Sequence, residues 1–422
     1  MFKKLMSFDE ARKVIQHEFD MKPSGTEEIP LLKSHSRILG EDIFAEIDIP
    51  PFDRSTVDGY ATRADETRDA GENEPITLNV RGTVNIGELP RLNVEAGETA
   101  EIVTGAPIPK GADAVIMIEH TNRINNQVEV FARVAKNENI MKAGSDIKKG
   151  EIVLKRGKLL GSMEIGVLAA LGKPKVRVFK VPRIAVFSTG PEIVEPGQKL
   201  PSGKIYDINA YTLFTAVQES GGEPYYLGVL PDKVEEIREA LVRALESSDM
   251  IVTSGGVSVG PKDLMPRTVD TLGKPGVLIS GIALKPGKPT TIASINGIPI
   301  FSLPGHPTSA LLTFLLFARP LIEAMSGKKS RKPLEKKAYV SMRIFSAKGR
   351  RTFVMVILKH GQKGELIAEP LESEASGAIT TLSKADGFVE IPENVQFIDA
   401  GEPVTVRSFG SEPCDERAGS SQ

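Results

Sequence analysis

The chain has 422 residues, of which 40% are hydrophobic and 26% charged, so it encodes a multi-domain globular protein and not a disordered or fibrous one. A formal net charge of −2 gives no global electrostatic support for nucleic-acid binding. A single cysteine, Cys414, excludes a disulfide framework and a thiolate metal site, and the five histidines lack metal-ligand spacing.

No run approaches about 18 consecutive apolar residues, so no membrane-spanning helix is expected. The start, MFKKLMSFDEARK, has no apolar core before Asp9 and does not read as a secretory signal. A cytoplasmic enzyme is the expectation.

Residues 7–19 predict a helix: Ser7 and Glu10 form a capping-box pattern, and Ala11, Val14, Ile15 and Phe19 make one apolar stripe. From 41 to 176 the chain shows short β-rich runs (Ile76–Val80, Thr99–Val103, Ala114–Ile118, Val128–Val134) and one short helical stretch at 162–171. From 183 the pattern changes. Strands at 183–188, 225–229, 250–253 and 298–303 alternate with helices at 209–219, 233–246, about 264–272 and 307–325. Such alternation predicts a mostly parallel sheet with helices on both faces and ligands at the carboxyl ends of its strands. Residues 327–337 read as a basic linker, 338–409 as a small β domain, and 410–422 as a disordered tail.

Three turns stand out in the alternating region: TSGGVSVG at 253–260, KPGKP at 285–289 and LPGHPTSA at 303–310. Glycine turns and helix starts present backbone N–H groups to anions, and lysines add charge. The candidates for holding a phosphate-bearing ligand are Gly255, Gly256, Ser258, Lys285, Lys288, Pro304, Gly305, His306, Pro307 and Ser309. Each turn also has a plain geometric reading, and Asp232 (with Glu235) and Asp263 read equally well as helix N-caps. Glu192, Asp232 and Asp263 near these turns suit Mg²⁺ beside phosphate. In the front half, PPFDRSTVDGYA at 50–61 crowds Asp53, Arg54, Ser55, Thr56 and Asp58 together, and VTGAPIPKGADAVI presents Thr104.

Taken together, FDRSTVDGYA, VTGAPIPKGADAVI, AGSDIKKG (143–150), VFSTGPEIVEPG (186–197), GKIYDINAYTL (203–213), the GVLPD turn, TSGGVSVGPKD, ALKPGKP and LPGHPTSA make the chain resemble the molybdopterin molybdenumtransferase family, the MoeA type that also forms the E domain of gephyrin. The resemblance implies a multi-domain α/β plus β architecture. A split domain (1–45 and 141–177) carries an inserted β domain (46–140). An α/β molybdopterin-binding domain (178–327) and a C-terminal β-barrel (328–410) follow, before a tail (411–422). It implies an elongated homodimer with an active cleft shared between subunits, and a molybdopterin adenylyltransferase as a possible upstream partner. It further implies Mg²⁺-dependent reaction of adenylylated molybdopterin with molybdate or tungstate, releasing AMP.

Carried over by position, the resemblance implies catalytic roles for Asp58, Thr104 and Asp263, and acidic, metal-holding ones for Asp146, Glu192, Asp232 and Asp263. Two departures from the pattern are Pro191, where the family commonly has Asp, and His306, where it commonly has Asn. Two other readings are a non-catalytic molybdopterin-binding scaffold and a nucleotide pyrophosphatase or adenylyltransferase.

Overall fold

Ser7 begins the first helix, α1 (Phe8–Glu18), with the capping box closed in both directions: Ser7 Oγ accepts from the Glu10 amide, and the Glu10 carboxylate accepts from the Ser7 amide at 3.0 Å. The computed structural model describes residues 5–256, 264–329, 333–362, 364–371 and 379–411. Contacts divide the chain into two compact units, residues 28–178 and residues 1–27 with 179–422. The stripe of α1 (Phe8, Ala11, Ile15), with Phe19, enters the core of the second unit beside Ile184, Leu213, Phe301 and Phe317. Burying Phe8 alone stabilises this arrangement by about 1.5–3 kcal/mol. The helix therefore packs with the α/β part, whereas the expected boundary grouped all of 1–45 with 141–177; an apolar stripe fixes a face but not the core that receives it.

In the unit of residues 28–178, one core joins chain from both ends of the segment: Leu31, Leu39, Ile43 and Ala45 pack with Leu160, Leu168, Leu171, Val176 and Val178. Helix α2 (Ser162–Ala170) contributes Leu168. Between these ends lies a six-stranded sheet of β1 (Gly59–Thr62), β2 (Ile76–Val84), β3 (Glu98–Ile102), β4 (Ala114–Met117), β5 (Thr121–Ile124) and β6 (Gln127–Val130), in the order β4-β1-β3-β2-β6-β5. Only β2 and β3 pair in parallel.

The α/β part of the chain runs β7 (Arg183–Thr189), α3 (Asn209–Ser220), β8 (Glu223–Leu230), α4 (Val234–Ser247), β9 (Met250–Ser254), α5 (Leu264–Asp270), β10 (Pro275–Ser280), β11 (Leu284–Lys285), β12 (Thr291–Ile295) and β13 (Ile298–Leu303). All of these strands but β11 form one sheet, in the order β8-β7-β9-β13-β12-β10. Strands β8, β7, β9 and β13 are parallel, and β12 and β10 extend the sheet antiparallel. Strands β7 and β9 read as unbroken apolar runs because helices cover both faces. One core lies against α3 and another against α4 and α5. Gly221, with φ +91°, ends α3 in the left-handed region, as the Gly221-Gly222 pair predicts.

The helix expected over 307–325 consists of α6 (Pro307–Thr313), a π-helical turn at Phe314–Ala318 and α7 (Arg319–Met325). Pro320 has no N–H to give the preceding turn, which accounts for the irregularity. By length and composition this stretch could cross a membrane, but it is mostly buried in the core, as a core helix would be.

The last domain closes a five-stranded barrel from β14 (Pro333–Val340), β15 (Arg351–His360), β16 (Leu366–Pro370), β17 (Gly387–Ile391) and β18 (Pro403–Ser411), in the order β15-β16-β14-β18-β17 and back to β15. Strand β11 adds to the start of β15, pairing Leu284 with Arg351 and Lys285 with Thr352.

Candidate active site

The carboxyl ends of β7, β9 and β13 lie side by side, and there the sequence-predicted turns converge. The Gly255 amide donates to the Leu303 carbonyl at 3.2 Å, which joins the first turn to the last. Gly255 has φ +89°, and a Cβ there would sit 2.0 Å from the Thr189 carbonyl oxygen, so only glycine fits. Gly256 has φ +67° and faces the Thr189 hydroxyl. In the last turn, Pro304 is buried, Gly305 and His306 are exposed, and His306 is the N-cap residue of α6 without a side-chain capping bond. Pro307 takes the first helical turn, and Thr308 and Ser309 are buried.

The lysine turn joins this group through Gly287, where a Cβ would meet Thr313 of α6 at 2.5 Å. Lys285 is exposed and Lys288 half-buried. The turn is not a free hairpin tip, since Lys285 belongs to β11 and is hydrogen-bonded into the barrel. Two cations thus lie near a glycine-rich surface at the end of a parallel sheet, a setting suited to oxyanions. Ser258 and Asp263 lie outside the described residues.

Of the acidic candidates, Glu192 is exposed at the base of a small ribbon formed by Ile193–Val194 and Ile205–Tyr206, and its carbonyl accepts from the Ile205 amide at 2.8 Å. Asp232 does not cap α4: the N-cap residue is Lys233, and no side chain caps it. The Asp232 carboxyl lies instead within reach of the Thr189 hydroxyl and of the charge on Glu192. Partial burial raises its pKa, the Thr189 hydroxyl opposes this, and the charge of Glu192 adds to the rise. That hydroxyl is buried and makes no well-formed hydrogen bond.

Asp58 and Thr104 meet in the other unit, 46 residues apart in sequence. They flank the paired strands β1 and β3, where Gly59 faces Ile102. Asp58 Oδ1 accepts from the Thr104 amide at 2.7 Å and from its hydroxyl at 2.9 Å. These two bonds hold the exposed Asp58 carboxyl below its ordinary pKa. Asp53 ties the same stretch to residues 142–143, accepting from Lys142 Nζ at 2.7 Å and the Ala143 amide at 2.9 Å. Asp146 is exposed, with its amide on the Ile49 carbonyl.

No set of three or more His, Cys, Asp and Glu side chains among the described residues forms a metal cage. Glu192 and Asp232 do form an acidic pair close enough for one charge to act on the other. That fits Mg²⁺, which takes one or two carboxylates and fills its shell with water and phosphate.

Sequence reasoning left Asp207 and Asn209 unassigned. Both are buried at the start of α3, within the GKIYDINAYTL stretch. Polar residues inside an otherwise apolar segment were the signal that could have found them.

Three family models match the chain in order. They are the MoeA N-terminal region (domain I and II) over 6–172, the "Probable molybdopterin binding domain" over 185–324, and the MoeA C-terminal region (domain IV) over 337–409. The molybdopterin molybdenumtransferase of Haemophilus influenzae is 33% identical over 407 residues, covering 96% of this chain and 99% of its own. That of Bacillus subtilis is 32% identical over 402 residues, covering 94% and 93%. The crystal structure of a molybdopterin biosynthesis MoeA protein from Pyrococcus horikosii superposes with a TM-score of 0.84 at 42% identity, covering 97% of this chain and all of that one. Matched from end to end in sequence and in fold, this chain belongs to the MoeA family.

Proposed function

We propose that this chain is a molybdopterin molybdenumtransferase of molybdenum cofactor biosynthesis, which inserts molybdate (or tungstate) into adenylylated molybdopterin with release of AMP. The observation that carries this reading is the end-to-end match to relatives bearing that activity in their names. The convergence of the three turns supports it, because the substrate carries a phosphoanhydride and the second reactant is an oxyanion.

In this reading the N–H groups around Gly255 and Gly256, the α6 N-terminus at His306–Ser309, and Lys285 and Lys288 hold phosphate or oxyanion. Glu192 and Asp232 would hold Mg²⁺, with Asp263 and Asp146 as further candidates; when bound, the ion neutralises charge on the phosphates. Asp58, kept ionised by Thr104, acts as an oriented carboxylate. Molybdate is assigned to the cationic and N–H groups, since carboxylates repel it. The homodimer and an upstream adenylyltransferase partner belong to the same proposal, and light scattering tests the first.

The deciding experiment incubates purified protein with adenylylated molybdopterin, Mg²⁺ and molybdate or tungstate. AMP release with cofactor formation is expected. Absence of AMP with either oxyanion overturns the reading.

A further inference from the structure

We infer that Asp207 and Asn209 form a clasp that sets the spacing of the turns, with Asn209 as the positioning residue for the first and last. Asn209 is 5% exposed, and its amide has only two hydrogens. One goes to Ser254 Oγ at 2.7 Å, at the end of β9; the other goes to the Gly305 carbonyl at 2.7 Å, in the last turn. Ser254 Oγ in turn donates to the Pro304 carbonyl at 3.1 Å. The Gly305 carbonyl can only accept, so the amide nitrogen must face it.

Two residues earlier, Asp207 Oδ1 accepts from Ser188 Oγ at 3.0 Å, near the end of β7, and from the Ala210 amide at 3.1 Å. Three adjacent parallel strand ends are thereby fastened to the start of one helix. The two side chains divide the work. Asp207 takes the Ala210 amide at the start of α3 and holds β7, whereas the Asn209 side-chain amide gives both its hydrogens to other elements.

The arrangement leaves polar atoms unpaired. Of seven buried side-chain atoms without a well-formed hydrogen bond among the described residues, two (Asp207 Oδ2, Asn209 Oδ1) belong to the clasp and two (Thr189 Oγ1, Thr253 Oγ1) to the strands beside it. A core selected for stability alone would place apolar side chains here. A buried amide that gives both hydrogens to other elements points to a requirement on geometry: the two turns must face the ligand at fixed separation.

The inference rests on the reading of the site given under Proposed function, so its test includes a readout that needs no substrate. The full chain is compared with Asn209→Ala, with the milder Ser254→Ala, and with the double variant. Amide hydrogen exchange is followed in peptides covering 250–256 and 303–310, with barrel peptides as reference. Each single change is expected to speed exchange in both stretches and leave the barrel unchanged. The double variant should exchange more slowly than the sum of the two single effects predicts, because both single changes remove the same Asn209–Ser254 bond. In the AMP-release assay kcat at saturating substrates should fall on the order of tenfold. The clasp is overturned if exchange rises in α3 alone or in one turn alone, or if Tm drops while kcat and both turns stay as in the parent. A parent that releases no AMP would remove the functional reading, and the exchange pattern would still decide the clasp.

Discussion

Asp58 Oδ1 receives both the amide and the hydroxyl of Thr104, at 2.7 and 2.9 Å, so a single residue fixes the orientation and the ionisation of the carboxylate. Thr104→Val keeps the amide and removes the hydroxyl. NMR titration should then find the Asp58 pKa moved up toward the ordinary carboxylate value, and turnover should fall at least about tenfold. Thr104→Ser should restore both. A Thr104→Val variant with an unshifted Asp58 would show that the hydroxyl does not hold it.

Gly255→Ala tests the closeness of the first turn to β7. The new Cβ would meet the Thr189 carbonyl at 2.0 Å from a backbone with φ +89°. The loss of stability in denaturant unfolding should exceed the ~1 kcal/mol of an ordinary glycine replacement. Restoration of wild-type stability and turnover would show that the turn can open without cost.

Burial raises the pKa of Asp207, against hydrogen bonds from the Ala210 backbone amide, the Ser188 hydroxyl and the Asn209 backbone amide. The folded protein therefore binds the Asp207 proton more tightly than the unfolded chain. As pH rises from the unfolded carboxylate value through the folded one, this group subtracts stability. Asp207→Asn keeps an oxygen acceptor and removes the titration. The Tm of the variant relative to wild type should rise as pH goes from about 3 to 7, starting at the ordinary carboxylate range. A difference that stays flat with pH would contradict the assignment.

Arg351 joins α1 to the barrel. Its guanidinium donates to Asp9 Oδ1 and Oδ2 at 3.1 and 2.9 Å and to Glu393 at 2.9 Å, and lies 4.8 Å from the centre of the Phe8 ring. Arg351→Met should cost about 1–3 kcal/mol in denaturant unfolding, less than a fully buried pair because the acids are partly exposed. The bond from Arg351 holds the Glu393 pKa down, so this contribution is present at neutral pH. It should be lost as pH falls through the folded Glu393 pKa, and the gap between wild type and variant should narrow.

The sequence made the α/β sheet legible because strands covered on both faces must be apolar throughout, and their helices carry one stripe each. Strand Ile298–Leu303 was readable to the residue. The Ile193–Val194 and Ile205–Tyr206 ribbon was not, since two-residue exposed strands leave no period. The site was legible as parts. Glycine and proline mark the turns, but nothing in spacing shows that Thr104 reaches Asp58 or that Asn209 reaches Gly305, 96 residues away. Of the two readings open for Asp232, the cap is not realised: the N-cap residue of α4 is Lys233, and the Asp232 carboxyl lies within reach of the Thr189 hydroxyl.

The pairing of Leu284 and Lys285 with Arg351 and Thr352 bears on how far this protein is modular. The Arg351 amide also donates to the Ala283 carbonyl at 3.0 Å, so the barrel supplies one bank of the lysine turn. A fragment ending near residue 327 would leave this short strand as an open edge, unlike a self-contained ligand domain. A chimera carrying a foreign barrel would inherit the lysines but not their seating, unless the grafted strand matched residues 283–285 bond for bond. In this chain the barrel is therefore not freely exchangeable: a two-residue seam ties it to the lysine turn.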